Sequence, residues 1–262
     1  MRRLRNPNFE EKKSGLSTLA LRAWAMIFLA AGVIGRSVLQ IGLLDLPNLS
    51  STEMMTLLND STEAVKVAGI SLILQAVEVC AIPLYAFFLV EGFQNTSDRK
   101  QYALRVAGLA LLTELPYNLA LSGKLFFLQS RNPVFGVLLG MAMLYFFENY
   151  GHKRVTGILV GLLVTVAAVF WCVMLGVEHG ILFVLLTAVL WIMRNKPLYR
   201  GFIGTAVACI CFVISPFYLA AVMGFMLLHF YNGESEKDLK HIVAYPFYPV
   251  LLLLAYVIGL LI

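Results

Sequence analysis

Charge is what this chain has least of. Only 13% of its 262 residues are Asp, Glu, Lys or Arg, about half the share that a soluble domain uses to hydrate its surface. That shortage excludes an ordinary soluble enzyme. It also excludes a soluble nucleic-acid binder, because the +5 formal charge is scattered in short segments between apolar runs, where membrane topology requires basic residues anyway. Cysteine is scarce too: Cys80, Cys172, Cys209 and Cys211 sit in apolar runs with no His or carboxylate at ligand spacing. They read as packing thiols, with neither a disulfide framework nor a metal site. No charged linker and no internal repeat divides the chain. What remains is hydrophobic, 60% apolar residues with a mean hydropathy of +0.82, and such a surface is covered by lipid.

A transmembrane helix takes about 20 apolar residues, which cuts the chain into nine candidate spans: 17–40, 68–92, 102–121, 133–149, 155–175, 179–194, 201–214, 216–231 and 242–262. The expected fold class is therefore all-α, a polytopic helical membrane protein with a basic tail over 1–16 and one transmembrane domain over 17–262. The start resembles a signal peptide, but Arg22 interrupts its apolar core and the hydrophobic stretch runs on to Leu44, so an uncleaved anchor is expected. Gly201–Tyr231 would be about 46 Å long as one helix. Ser215-Pro216 favours a hairpin there; one kinked helix would leave eight spans. The 41–67 segment is too polar to span and reads either as an interfacial helix or as a loop cap. Gly136-x-x-x-Gly140 and Gly157-x-x-x-Gly161 provide small faces for helix packing.

Positive charge sets the orientation. With the N-terminus cytoplasmic, only Arg36, Lys66, Lys124 and Arg131 of the 20 Lys and Arg fall on the outer side or in outer helix halves, as the positive-inside rule requires.

Polar side chains within the spans need a reason, since a charge at the bilayer centre costs around 2.5–3.5 kcal/mol on insertion scales. Glu78 lies about 15 Å into the second span by helical rise, with Gln75 on the same face. Glu114 and Asn118 are one turn apart around Pro116, which frees a backbone carbonyl. Arg36 lies in the outer half of the first span, and Arg131, Asn132, Glu178 and His179 at outer helix ends. Together they would line one polar cavity open to the outside. Simpler readings stand beside this one: Arg36 and Arg131 would snorkel to the interface, Glu78 would tie to Arg36, and Glu91 would pair with Arg99 or Arg105.

Pro83-Leu-Tyr-Ala-Phe-Phe-Leu-Val-Glu91-Gly92-Phe-Gln-Asn-Thr96, Arg99-Lys-Gln-Tyr102-Ala-Leu-Arg105 and Glu114-Leu-Pro116-Tyr-Asn118-Leu form a long compound pattern. It resembles the TraX family. Asn132-Pro-Val-Phe135, Glu178-His179-Gly180, Tyr231-Asn-Gly-Glu234 and Tyr245-Pro-Phe-Tyr248-Pro249 extend the resemblance over most of 17–262. Two positions depart from it: Leu29-Ala30 stand where the family usually has an Asp-His pair, and Leu251 where it has a His. Arg36, Glu78 and His179 are the polar groups available to compensate.

The family is named for the conjugative pilin acetylase, so the resemblance implies a multi-pass protein of the cytoplasmic membrane. The implied activity is transfer of an acetyl group from acetyl-CoA to an amine or hydroxyl of an envelope peptide or glycan. Acyl transfer to an amine needs a base and donors for the thioester oxyanion. Glu114 is the expected base and Asn118 or Asn132 the expected donor. The phosphates of the cytosolic donor would meet Arg99, Lys100, Arg105, Lys153, Arg154 and Lys196 on the inner face, and no metal is expected. The residues themselves leave two other readings open. One is a small-solute transporter using Glu78, Glu114 and Arg36 at the midplane; the other is a noncatalytic partner of a surface-appendage assembly.

Overall fold

A computed structural model describes residues 15–127, 129–151, 154–233 and 241–262, with Arg154 and residues 241–245 described by backbone alone. The basic tail up to residue 14, Lys153 and the side chain of Arg154 lie outside the described residues. The described chain is helical in each of the nine expected segments. α1 (Thr18–Val33) runs into a π-helical stretch (Ile34–Leu43), followed by α2 (Ser51–Asp60), α3 (Thr62–Val79), α4 (Ala81–Asn95) and α5 (Arg99–Ser122). Then come α6 (Val134–Tyr150), α7 (Arg154–Leu175), α8 (Gly180–Ile192), α9 (Pro197–Ile210), α10 (Ala221–His229) and α11 (His241–Leu261). The fold is that of a polytopic helical membrane protein. Thr18–Leu43, Thr62–Asn95 and Val155–Leu175 are long and apolar enough to cross a bilayer unaided, and shorter apolar helices pack among them.

Local chemistry explains the helix ends. Ser17, Ser61 and Asp98 accept hydrogen bonds from Ala20, Ala64 and Gln101 N–H, satisfying donors that a helix start leaves orphaned. Gly123 closes α5 in the left-handed conformation at φ 65°, which glycine adopts without a Cβ penalty. Ser215-Pro216 does turn a hairpin. Ser215 is extended, Pro216 opens a 3-10 turn, and α9 packs against α10, so the alternative of one kinked helix is excluded.

The 41–67 segment carries a short exposed helix, in keeping with one of its two expected forms but with narrower bounds. Residues 41–43 finish the π-helical stretch, α2 is a separate exposed helix with a Ser50–Glu53 capping box, and α3 begins at Thr62, six residues before the expected span. The Ser61 cap outweighs the polarity of Glu63 and Lys66, which pair one turn apart on the helix surface at 2.7 Å and so remain hydrated.

α4 and α8 form the centre. Leu84, Phe87, Phe93, Leu182, Leu186 and Leu190 are all essentially buried, whereas α7 turns Ile158, Leu162, Val166 and Met174 outward, as a lipid-facing helix must. Small residues set the closest approaches. A Cβ on Gly140 would meet Leu89 at 2.9 Å, and one on Gly157 would meet the Tyr150 carbonyl at 2.8 Å. The π-helical stretch and α11 touch at Gly42 and Gly259, where a Cβ on Gly42 would come 2.8 Å from the Gly259 Cα.

Candidate functional site

Three irregular backbones converge at one level of the bundle. Arg36 projects from the π-helical stretch, a geometry that re-aims side chains and recurs at functional sites. Glu78 ends α3 just before the break at Cys80. Pro83 lacks the N–H that the Val79 carbonyl would otherwise accept, and the turn leading into α10 seals the break, with Cys80 donating through Sγ to the Ala220 carbonyl at 3.2 Å. His179 is one of two non-glycine residues among those described with positive φ, at 53°. It turns the chain from Val177-Glu178 into α8.

These backbones bring Arg36 between two carboxylates. Its guanidinium pairs with Glu78 through one terminal nitrogen and with Glu178 through the other. The side chains are 13%, 5% and 14% exposed, so the pairs are largely desolvated and the tie of Glu78 to Arg36 is real. Gly32 makes it possible: a Cβ there would collide with the Glu78 carboxylate. The third nitrogen of Arg36, Nε, is buried and has no hydrogen-bond partner among the described residues. Tyr117 donates to Glu178 at 2.9 Å and shares a 2.7 Å hydrogen bond with Ser130. Tyr117 and Tyr248 lie close enough to feel the Arg36 charge, as does His179, whose ring stands edge-on to Tyr218 at 5.7 Å.

Glu114 sits one turn before Tyr117 on α5 and forms a second centre. Arg131 donates to it at 2.7 Å and the Asn132 side chain at 2.6 Å, while the same Asn132 amide also reaches the Ala110 carbonyl at 3.0 Å. Two backbone bonds join the centres: Arg131 N–H donates to the Gly176 carbonyl and Glu178 N–H to the Arg131 carbonyl, at 2.9 and 3.0 Å. Ser130–Asn132 is thereby laid beside Gly176–Glu178. Arg36, Glu78, Glu114, Asn132 and His179 thus belong to one neighbourhood.

Other sequence expectations fall elsewhere. Arg131 pairs with Glu114 where a snorkelling side chain would stay free. Asn118 is buried and turned to the Leu125 carbonyl at 3.3 Å, and its Oδ1 has no partner among the described residues. Arg99 engages Glu148 of α6 in a two-pronged pair, with the second bond at 2.7 Å, and lies over the Phe93 ring. Arg105 reaches Gln101 and Lys100 is exposed. The expected pairing of Glu91 with Arg99 or Arg105 is therefore corrected: α6 takes Arg99, and Glu91 accepts from Tyr231 at 3.4 Å near Arg22 and Arg200.

Sequence reasoning passed over Tyr117, Ser130 and Tyr248. Tyr117 and Tyr248 stand inside the motifs Glu114-Leu-Pro-Tyr-Asn118 and Tyr245-Pro-Phe-Tyr248-Pro249, the signal that could have pointed to them. Among the described residues no group of three His, Cys, Asp or Glu is placed to hold a metal.

No curated protein and no solved structure gives a significant match to this chain. A family profile does: the one described as TraX protein matches residues 52–259. That match covers α3 to α11 and so includes every site residue named above except Gly32 and Arg36. The polar centre and the helical scaffold that builds it are those of a membrane protein belonging to the TraX family.

Proposed function

We propose that this chain is an acyl-transfer protein of the cytoplasmic membrane, with its N-terminus inside. It moves an acetyl group from acetyl-CoA to an amine or hydroxyl of an envelope peptide or glycan, pilin-like acceptors among them. The observation that carries the reading is the arrangement about Arg36: two carboxylates share one guanidinium whose Nε–H is uncommitted. With all three groups ionised the set holds one excess negative charge, which suits an acceptor arriving as an ammonium. Proton and bond accounting then works as follows. The ammonium gives a proton to Glu178 or Glu78, and the freed amine nitrogen attacks the thioester carbonyl carbon. The C–N bond forms, the C–S bond breaks, and the departing thiolate takes the second proton shed by nitrogen. Arg36 Nε–H donates to the carbonyl oxygen as charge builds on it, inside a site where water competes weakly.

The base role expected of Glu114 passes in this scheme to the glutamate pair, because Glu114 already accepts from Arg131 and Asn132. Glu114 then acts as a positioning residue for the 130–132 segment. Glu114 also lies about 22 Å from Arg99 along α5 by helical rise. A donor held by its phosphates at the inner end must therefore extend its thioester arm into the bundle.

Purified protein with radiolabelled acetyl-CoA and envelope extract tests the reading. Label on a peptide or glycan, lost in Glu178→Gln, supports it; no label with a folded protein overturns it. The break at Cys80 beside Glu78 favours a second reading, a small-solute transporter, because interrupted helices build midplane binding sites. Solute flux in liposomes without label transfer would select that reading.

A further inference from the structure

A second polar cluster lies at the opposite end of the bundle from Arg36, where α1 begins, and the acyl-transfer scheme does not use it. Arg22 of α1 lies over the Phe88 ring at 5.7 Å, and Arg200 of α9 over the adjacent Phe87 ring at 4.9 Å. Glu91, one turn after Phe87 on α4, feels both charges. Tyr231 stands edge-on to Phe87 at 5.3 Å and links Glu91 to Thr18 through its hydroxyl, at 3.4 and 3.1 Å. Four elements therefore converge here, drawn together by two backbone bonds, Leu16 N–H to the Phe230 carbonyl and Asn232 N–H to the Leu16 carbonyl, at 2.7 and 3.0 Å.

Among the described residues neither guanidinium closes an ion pair or donates a hydrogen bond. That sets them apart from the other arginines of the bundle. Arg36, Arg99 and Arg131 are each taken up by carboxylates, and Arg194 donates to the Trp191 carbonyl at 2.9 Å. Arg22 and Arg200 are half-buried, each lying over an aromatic ring, and outnumber the one carboxylate that feels both charges. A guanidinium over a ring face spends none of its N–H hydrogens on that contact, and its edge is the fork that matches phosphate oxygens two at a time.

We propose that Arg22 and Arg200 form a phosphate-binding site at this end of the bundle, with Glu91 and Tyr231 setting its floor. The ligand class is a phosphate ester. Within the acyl-transfer reading, on which the assignment to a donor rests, it is the diphosphate of coenzyme A. The same chemistry would recognise an anionic lipid headgroup. The arginines assigned to the donor from sequence, Arg99 and Arg105, are occupied by Glu148 and Gln101; these two are not.

Binding tests the site without requiring turnover. The full chain in zwitterionic nanodiscs is titrated calorimetrically with coenzyme A and, separately, with inorganic pyrophosphate. The same protein in nanodiscs containing phosphatidylglycerol is analysed by native mass spectrometry for retained lipid. Arg22→Gln and Arg200→Gln should each weaken binding at least tenfold, and Arg22→Lys or Arg200→Lys by less, since lysine keeps the charge and loses the fork. Arg194→Gln, which removes the same charge at the same end, should bind as the parent does. Loss of coenzyme A or pyrophosphate affinity identifies a soluble ligand, and loss of retained phosphatidylglycerol alone identifies a lipid. Absence of both in the folded parent overturns the proposal, as does equal weakening by Arg194→Gln. If a glutamine variant unfolds, the lysine variants carry the comparison. Binding with no acyl transfer would keep this site and remove the catalytic reading.

Discussion

Removing the Arg36 side chain is the most demanding perturbation of this structure. Glu78 and Glu178 are 5% and 14% exposed, and both depend on the same guanidinium. Arg36→Ala would leave two carboxylates facing one another within the bundle with no cation between them. Breaking a buried pair from one side costs about 3–5 kcal/mol, because the partner left behind is charged and dry; Tyr117, which donates to Glu178, holds the expected value within that range despite the second orphaned carboxylate. A solvent-exposed pair would cost only about 0–1 kcal/mol. Reversible unfolding in mixed detergent micelles, followed by tryptophan fluorescence, measures the difference. Arg36→Met combined with Glu78→Gln and Glu178→Gln should regain most of the lost stability, since a neutral set of similar volume has no charge to strand. A loss below about 1 kcal/mol for Arg36→Ala, or a triple variant no better than the single one, would refute the view that these charges are desolvated and mutually dependent.

Gly32→Ala places a methyl group where the Glu78 carboxylate lies, so it should destabilise by about 1–3 kcal/mol as overpacking and cost little more in an Arg36→Ala background; unfolding of the double variant checks the coupling. Tyr117→Phe removes the hydroxyl shared by Ser130 and Glu178 and should cost about 1.5–3 kcal/mol, the range of a hydrogen bond to a charged group, measured in the same micelles. Glu114→Gln keeps a carbonyl oxygen for Asn132 but loses the pair with Arg131; label transfer should fall while that of Glu178→Gln vanishes, and the reverse ranking would restore Glu114 to the base role. On the exposed helix α2, hydrogen bonds from the Ser50 hydroxyl and backbone N–H hold the Glu53 carboxyl below the ordinary glutamate range. The cap is therefore complete above that range and is lost as pH falls through the lowered value; Ser50→Ala should move the Glu53 titration upward, as read by carboxyl-carbon NMR.

Much of the scaffold is legible in the sequence because membrane helices obey length and polarity rules that need no tertiary knowledge. Ser215-Pro216 marks the hairpin because proline cannot continue the preceding helix, and Thr62–Asn95 and Val155–Leu175 announce themselves by apolar length. Partner choice is another matter. Glu91 and Arg99 are close in sequence and on neighbouring helices, which makes a pair between them natural. Yet the turn at Thr96–Asp98 points Arg99 at Glu148 on α6, and Glu91 faces Tyr231 from a segment 140 positions away. Arg131 shows the same limit: its place at a helix end is consistent with snorkelling, and only the backbone bridge to Gly176–Glu178 explains why it turns inward to Glu114. The π-helical stretch leaves no mark in the residues Ile34–Leu43, because it follows from close packing of that stretch on α3 and α11.

The two departures from the family pattern acquire a physical reading in this light. The resemblance implies an Asp-His pair where Leu29-Ala30 stand, ahead of the matched residues 52–259, and α1 supplies no acid or base of its own at that level. One turn further along α1 is Gly32, against which the Glu78 carboxylate of α3 packs. A carboxylate is thus delivered to nearly the same wall from the neighbouring helix, and the glycine is what admits it. The resemblance likewise implies a His where Leu251 stands in the last helix. One turn earlier, Tyr248 is buried beside the Arg36 charge, while His179 approaches the same guanidinium from the start of α8. In both cases a polar group stands one helical turn away or on an adjoining helix and acts on Arg36. Such a site should tolerate substitution at Leu29 or Leu251 better than at Gly32 or Tyr248. Leu251→His, which adds the usual group without removing Tyr248, should therefore leave folding intact and test whether the rearranged set and the usual one are compatible in a single chain.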